Sequence, residues 1–114
     1  MSLKQANKGD KQPRLVWWPV TLYEPKDGGR STQHLVDVQY ELLSQAEKDQ
    51  AASGGDVEFL QRVVRDWKKF EEADGTPIPC TEESRADFFE TGWIMIGIVQ
   101  GYFLANAGGR RKNS

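Results

Sequence analysis

One cysteine, Cys80, and one histidine, His34, are all that the 114 residues offer of two side chains that commonly bind transition metals or act as nucleophile and base. A single thiol excludes an internal disulfide, and the composition fits a reducing compartment. No second Cys or His stands near Cys80 in the chain, so no metal-ligand spacing is visible. A Cys–His pair would need the two to meet in space beside an orienting group, and none is evident. Cys80 is expected to behave as a small buried hydrophobe and His34 as a strand residue at the surface. Charge of one sign is also lacking: 15 basic against 17 acidic residues leave a net charge of −2. That removes any bulk drive toward nucleic acid or an anionic membrane. The longest apolar run, "WIMIGIVQGYFLA" from Trp93 to Ala105, is too short for a membrane span of roughly 20 residues. The polar start, "MSLKQANKGDKQPR", has no apolar core of a secretory signal. EF-hand spacing and a phosphate-binding loop are absent as well.

What is present is ordinary globular chemistry, 38% hydrophobic and 28% charged. Residues 1–13 and the basic end 108–114, "GGRRKNS", are expected as flexible tails around a single domain, 14–107. "RLVWWPVTLY" has strand character. Val16, Trp18, Val20 and Leu22 share one face; Trp17, Thr21 and Tyr23 share the other. Pro19 places this strand at an edge or a bulge. The turn chemistry of "EPKDGGRS" predicts a loop of about eight residues. "QHLVDVQYELL" then alternates, with His34, Val36, Val38 and Tyr40 on one side, and the two strands form an antiparallel hairpin.

Helices follow. "SQAE" at Ser44–Glu47 fits a capping box for a helix ending near Ala52. Asp56 opens "DVEFLQRVVRDWKKFEE", where Val57, Leu60, Val64 and Trp67 recur at helical spacing. Asp74-Gly75 ends that run, and Pro77 and Pro79 make a stiff elbow around Ile78. Thr81 caps a helix with Glu82 and Glu83 in its first turn. Thr91-Gly92 separates it from a last helix over Trp93–Asn106, apolar nearly all round and therefore central. Strands grouped before helices predict an α+β fold, an N-terminal antiparallel β-hairpin packed against a C-terminal bundle of about four helices.

No constellation points to catalysis, and no cofactor is expected. The acidic groups Glu71, Glu72, Asp74 and Glu82, Glu83, Asp87 fall at helix ends and turns, where charge is solvated. Arg62, Arg65, Lys68 and Lys69 form a basic stripe, but Glu58, Asp66, Glu71 and Glu72 interleave with it and pair it along the helix. Gly97 and Gly101 mark a helix face that permits close approach, by another part of the chain or by a partner. Trp67, Ile78, Pro79 and Trp93 are expected structural anchors. Adjacent Trp17 and Trp18 point to opposite faces of one strand, so one of them is a candidate for protein contact.

The segment "RDWKKFEEADGTPIPCTEESRADFF", with "WIMIGIVQGYFLANAG" after it and "WWPVTLYEPKDGG" before it, is similar to small tail assembly chaperones of long-tailed phages and prophages. The resemblance runs from Trp17 to Ala107. It implies a non-enzymatic protein of the bacterial host cytoplasm that binds the tape-measure protein, assists tail tube subunits in polymerising, and self-associates. It leaves Trp17, Trp18, Gly97 and Gly101 as contact candidates. A tail or neck component retained in the particle, or a small nucleic-acid-binding regulator, are the alternatives.

Overall fold

A computed structural model describes residues 13–108; the tail expectations for residues 1–12 and 109–114 lie outside the described residues. The fold is α+β. Strands β1 (Leu15–Lys26) and β2 (Arg30–Glu41) are joined by a short 3-10 turn, Asp27–Gly29. Helices α1 (Gln45–Ala52) and α2 (Asp56–Val63) follow, then strand β3 (Val64–Lys68), then helices α3 (Glu82–Phe89) and α4 (Gly92–Asn106). The sheet is antiparallel with order β1-β2-β3.

Two expectations need correction. The hairpin connection is three residues long, not about eight, because pairing continues through Glu24↔Thr32, Pro25↔Ser31 and Lys26↔Arg30. The long helix from Asp56 stops at Val63, and Trp67 lies on a third strand. The reason is a bulge: β2 pairs Gln39 with Asp66 but Tyr40 with Val64, which leaves Arg65 as an extra residue. Buried Val64, Trp67 and Phe70 then recur at every third position. That is a helical spacing produced by an irregular strand.

The phase of the β1–β2 ladder follows from one bond. The Leu42 N–H donates to the Arg14 carbonyl at 2.8 Å, continuing the register that sets Leu15 opposite Glu41. Directly opposed residues in an antiparallel pair alternate between bonded and unbonded. Even-numbered residues of β1 therefore bond to β2, and odd-numbered ones turn their backbone to the free edge. Pro19 and Pro25 both occupy outward positions, where a missing N–H removes nothing from the ladder.

Alternation buries Val20, Leu22, Val36, Val38, Tyr40 and Trp67 on the inner face. Helix α4 closes that face through its small residues. A Cβ on Gly97 would lie 2.5 Å from Leu22 Cδ2 and 3.2 Å from the Thr21 carbonyl oxygen. On Gly101 it would lie 2.5 Å from Tyr40 Oη and 2.7 Å from Val20 Cγ2. Backbone lies against side chain, and polar atoms are matched. The Tyr40 hydroxyl donates to the Ile98 carbonyl at 2.7 Å, and the Leu43 N–H donates to the Tyr102 hydroxyl at 3.1 Å. Burial pushes the Tyr40 hydroxyl well above its ordinary pKa.

The elbow is clipped beneath Trp67. The indole N–H donates to the Ile78 carbonyl at 2.8 Å, and the Ile78 N–H to the Phe70 carbonyl at 2.7 Å. Trp67 stacks on Phe70 and lies 5.2 Å from Phe88, ring centre to ring centre. Pro77 and Pro79 thus hold an acceptor in place for an indole that leaves solvent with its polar atom satisfied. Trp67 is an anchor by burial and Ile78 by its backbone. Pro79 is exposed, so it anchors no packing; its carbonyl accepts from Ser84 Oγ at 2.8 Å. Trp93 is half-buried and stacks on His34 at 5.7 Å.

Candidate functional site

Two apolar surfaces remain after the core is closed. The first runs along α4. This helix has no charged residue across its 15 positions. Its inner side buries Ile94, Gly97, Ile98, Gly101, Tyr102 and Ala105, and its outer side leaves Ile96 at 54% and Phe103 at 50% exposure. The expectation of a fully central helix therefore holds for one side only. Between α1 and α4 lies an open groove of about 320 Å³, lined by Ala52, Phe59, Val99 and Phe103 and edged by Lys48, Asp49 and Asp56. The capping box of α1 fixes one wall: Glu47 N–H donates to Ser44 Oγ at 3.2 Å and Ser44 N–H to Glu47 Oε1 at 3.0 Å. Those bonds hold the Glu47 carboxyl below its ordinary pKa. Phe59 stacks on Phe103 at 6.4 Å, and the Lys48 ammonium sits 5.6 Å from the Phe103 ring centre. Phe103 thus presents a half-exposed aromatic face beside the hollow.

The second surface is the outer face of the sheet. Leu15, Trp17, Pro19 and Tyr23 of β1 and Leu35 of β2 are exposed there. Trp17 is 38% exposed and carries the Lys68 ammonium 4.4 Å above its ring. Trp18 faces inward and packs against the core. Of the adjacent tryptophans, the outward one is Trp17. Gly97 and Gly101 are buried against β1 and β2, so the small-residue face serves the chain's own packing and is closed to a partner. Leu35 and Tyr23 are more exposed than Trp17. Alternation could have found Leu35, which shares the parity of Asp37, Gln39 and Glu41. Phe103 and Ile96 carried no sequence signal, because an all-apolar helix does not mark its outer side.

The polar candidates are dispersed. His34 bonds to Glu24 Oε1 at 2.9 Å, and that bond, with Lys26, holds the Glu24 carboxyl below its ordinary pKa. Cys80 is half-buried and accepts from Arg85 Nη1 at 3.5 Å; desolvation pushes its thiol up, against nucleophilicity at neutral pH. Glu41 holds Arg62 at 2.9 Å and Arg65 at 3.3 Å, and Asp37 holds Lys69 at 3.2 Å. The basic stripe is thus paired across the sheet, not along a helix. Among the described residues, no group of three or more His, Cys, Asp or Glu side chains is arranged to hold a metal ion. No single helix among them is long and apolar enough to cross a membrane. In comparison with known proteins, no family model, no curated protein and no solved structure matches this chain.

Proposed function

We propose that this chain is a non-enzymatic, protein-binding tail assembly chaperone of the host-cell cytoplasm, which shields the tape-measure protein while tail tube subunits assemble on it. The sequence resemblance supplies the biological role. The observation that carries the binding mode is the groove along α4: an uncharged helix with half-exposed Phe103 and Ile96 beside a hollow floored by Phe59 and Val99. A tape measure is a long apolar helical chain. An amphipathic helix places side chains at i, i+3, i+4 and i+7 into such a groove. Phe103 is the residue expected to matter most, since binding energy concentrates in desolvated aromatic anchors.

Coexpression with a tape-measure protein of a long-tailed phage tests the reading. The expected result is a complex that keeps the long protein soluble and is weakened at least about tenfold by Phe103→Asp. The long protein precipitating equally with and without the chain contradicts the reading. Mass spectrometry of purified particles separates a chaperone, which is absent, from a retained tail component, which is present.

A further inference from the structure

The sheet has three strands at one end and two at the other. We propose that the open edge of β2 between Ser31 and Leu35 binds an extended, uncharged segment of another protein, which joins the sheet as a strand end to end with β3. This site does not rest on the groove along α4. β1 pairs with β2 along its whole length, whereas β3 pairs with it only over Asp37–Tyr40. The cause is local. Lys69 takes a left-handed φ of 74°, and the chain leaves the sheet for Phe70, which is buried against Trp67. Among the described residues, none pairs with Arg30–Val36 on the β3 side.

The phase of the ladder decides what this edge offers. Even-numbered residues of β2 bond to β1, so Ser31, Gln33 and Leu35 turn both N–H and C=O to the open side. All three residues are exposed. Such a row is a template for one more strand, because an extended main chain supplies the matching donors and acceptors. β1 shows the contrast. Pro19 and Pro25 occupy outward positions of that strand and have no N–H to give. The open stretch of β2 has no proline and a donor at each outward position.

The neighbouring side chains set the chemistry of the guest. A strand in line with β3 runs antiparallel to β2 and faces Leu35, His34, Gln33, Thr32 and Ser31 in turn. Directly opposed residues share a face of the sheet. The first guest side chain meets Leu35, exposed to 67%, and the second meets His34 where Trp93 stacks on it. Both positions favour an aliphatic, β-branched residue; the other three meet polar side chains. Charge is balanced around the stretch. His34 bonds to Glu24, and Lys69 is held by Asp37. Arg30 and Asp27, of opposite sign, stand together at the tip, and Asp66 lies opposite Gln39, beyond the stretch. A charged guest residue would lose hydration without gaining an opposed partner, so the segment that fits is uncharged.

Amide hydrogen exchange of the full chain, followed by NMR, tests this with a peptide carrying Val-Ile-Gln-Thr-Ser between glycines. In the free chain the Ser31, Gln33 and Leu35 amides should exchange at least about tenfold faster than those of Thr32 and His34, which bond to β1. Peptide titrated to millimolar concentration should slow the three fast amides. Gln33→Pro, which removes no bond to β1, should weaken peptide binding at least about tenfold, as should N-methyl groups on the peptide's Val, Gln and Ser. N-methyl groups on its Ile and Thr should not, and neither should Phe103→Asp, so groove binding is tested separately. Circular dichroism identical to the parent shows that Gln33→Pro folds, and the methylated peptides need no variant at all. The proposal is overturned if the three amides are unchanged at every peptide concentration, or if binding is indifferent to methylation at Val, Gln and Ser. Slow exchange of these amides in the free chain also overturns it, since the edge would then be taken by residues 1–12 or by a second copy.

Discussion

The two faces of one sheet differ in everything except the strands that make them. Val36 is 4% exposed and its neighbour Leu35 is 67% exposed. Both are aliphatic, and alternation alone sorts them onto opposite sides. It does not say which side is covered. That is decided by α4, whose Gly97 and Gly101 let helix backbone settle onto Leu22, Val20 and Tyr40. The inner face is buried with its tyrosine hydroxyls hydrogen-bonded, and the outer face keeps an exposed apolar stripe. A large side chain is therefore a poor guide to its own role: Trp18 packs against the core while Trp17 lies outside.

The strongest way to break the inner face is at its margin. Trp67→Ala removes a buried ring that touches Phe70 and Phe88 and leaves the Ile78 carbonyl without its donor. A loss of about 3–5 kcal/mol is expected in urea unfolding. Next is Gly101→Ala, whose added methyl meets the hydrogen-bonded Tyr40 and the β-branched Val20. Overpacking of this kind costs about 1–3 kcal/mol, and thermal melting would register it.

A pH series sharpens the same contrast. In the unfolded chain Tyr40 ionises near pH 10, as tyrosine does, whereas burial raises its folded value further. Its contribution is fully present below about pH 10 and is lost as pH rises from there toward the folded value. Stability should fall steeply on that alkaline side, and Tyr40→Phe should make the fall shallower. The smallest effect lies at the sheet's end. Lys69 holds a left-handed φ of 74°, which disfavours any side chain with a Cβ. Lys69→Gly relieves this while giving up an exposed pair with Asp37. A net gain of about 0.5 kcal/mol is expected from chemical denaturation.

Much of the fold was legible. The hairpin, the capping box at Ser44, the Thr81 cap and the last helix all rest on local chemistry, and local chemistry is what a sequence displays. The third strand was not legible, because the Arg65 bulge turned a period of two into a period of three. Pairing with β2, not propensity, decides the conformation there. The connection at Asp27–Gly29 is shorter than the eight residues that "EPKDGGRS" predicts, because Pro25 does not end the pairing. It stands instead where its ring meets no ladder bond. For the candidate surfaces, strand parity separates Trp17 from Trp18 and groups Leu35 with Asp37, Gln39 and Glu41, without saying which face is covered. The groove was invisible because it needs α1 beside α4, a neighbour relation with no local signature. Gly97 and Gly101 announced a close approach without naming what approaches.

The central claim is that one face of the sheet holds the fold together while the other is free to meet a partner. Urea unfolding of Gly101→Ala and Leu35→Asp side by side, at a concentration low enough to keep the chain monomeric, addresses it most directly. The account predicts a clear loss of stability for the glycine variant and a change within about 0.5 kcal/mol for the leucine variant. Equal losses, or a larger loss at Leu35, would contradict it.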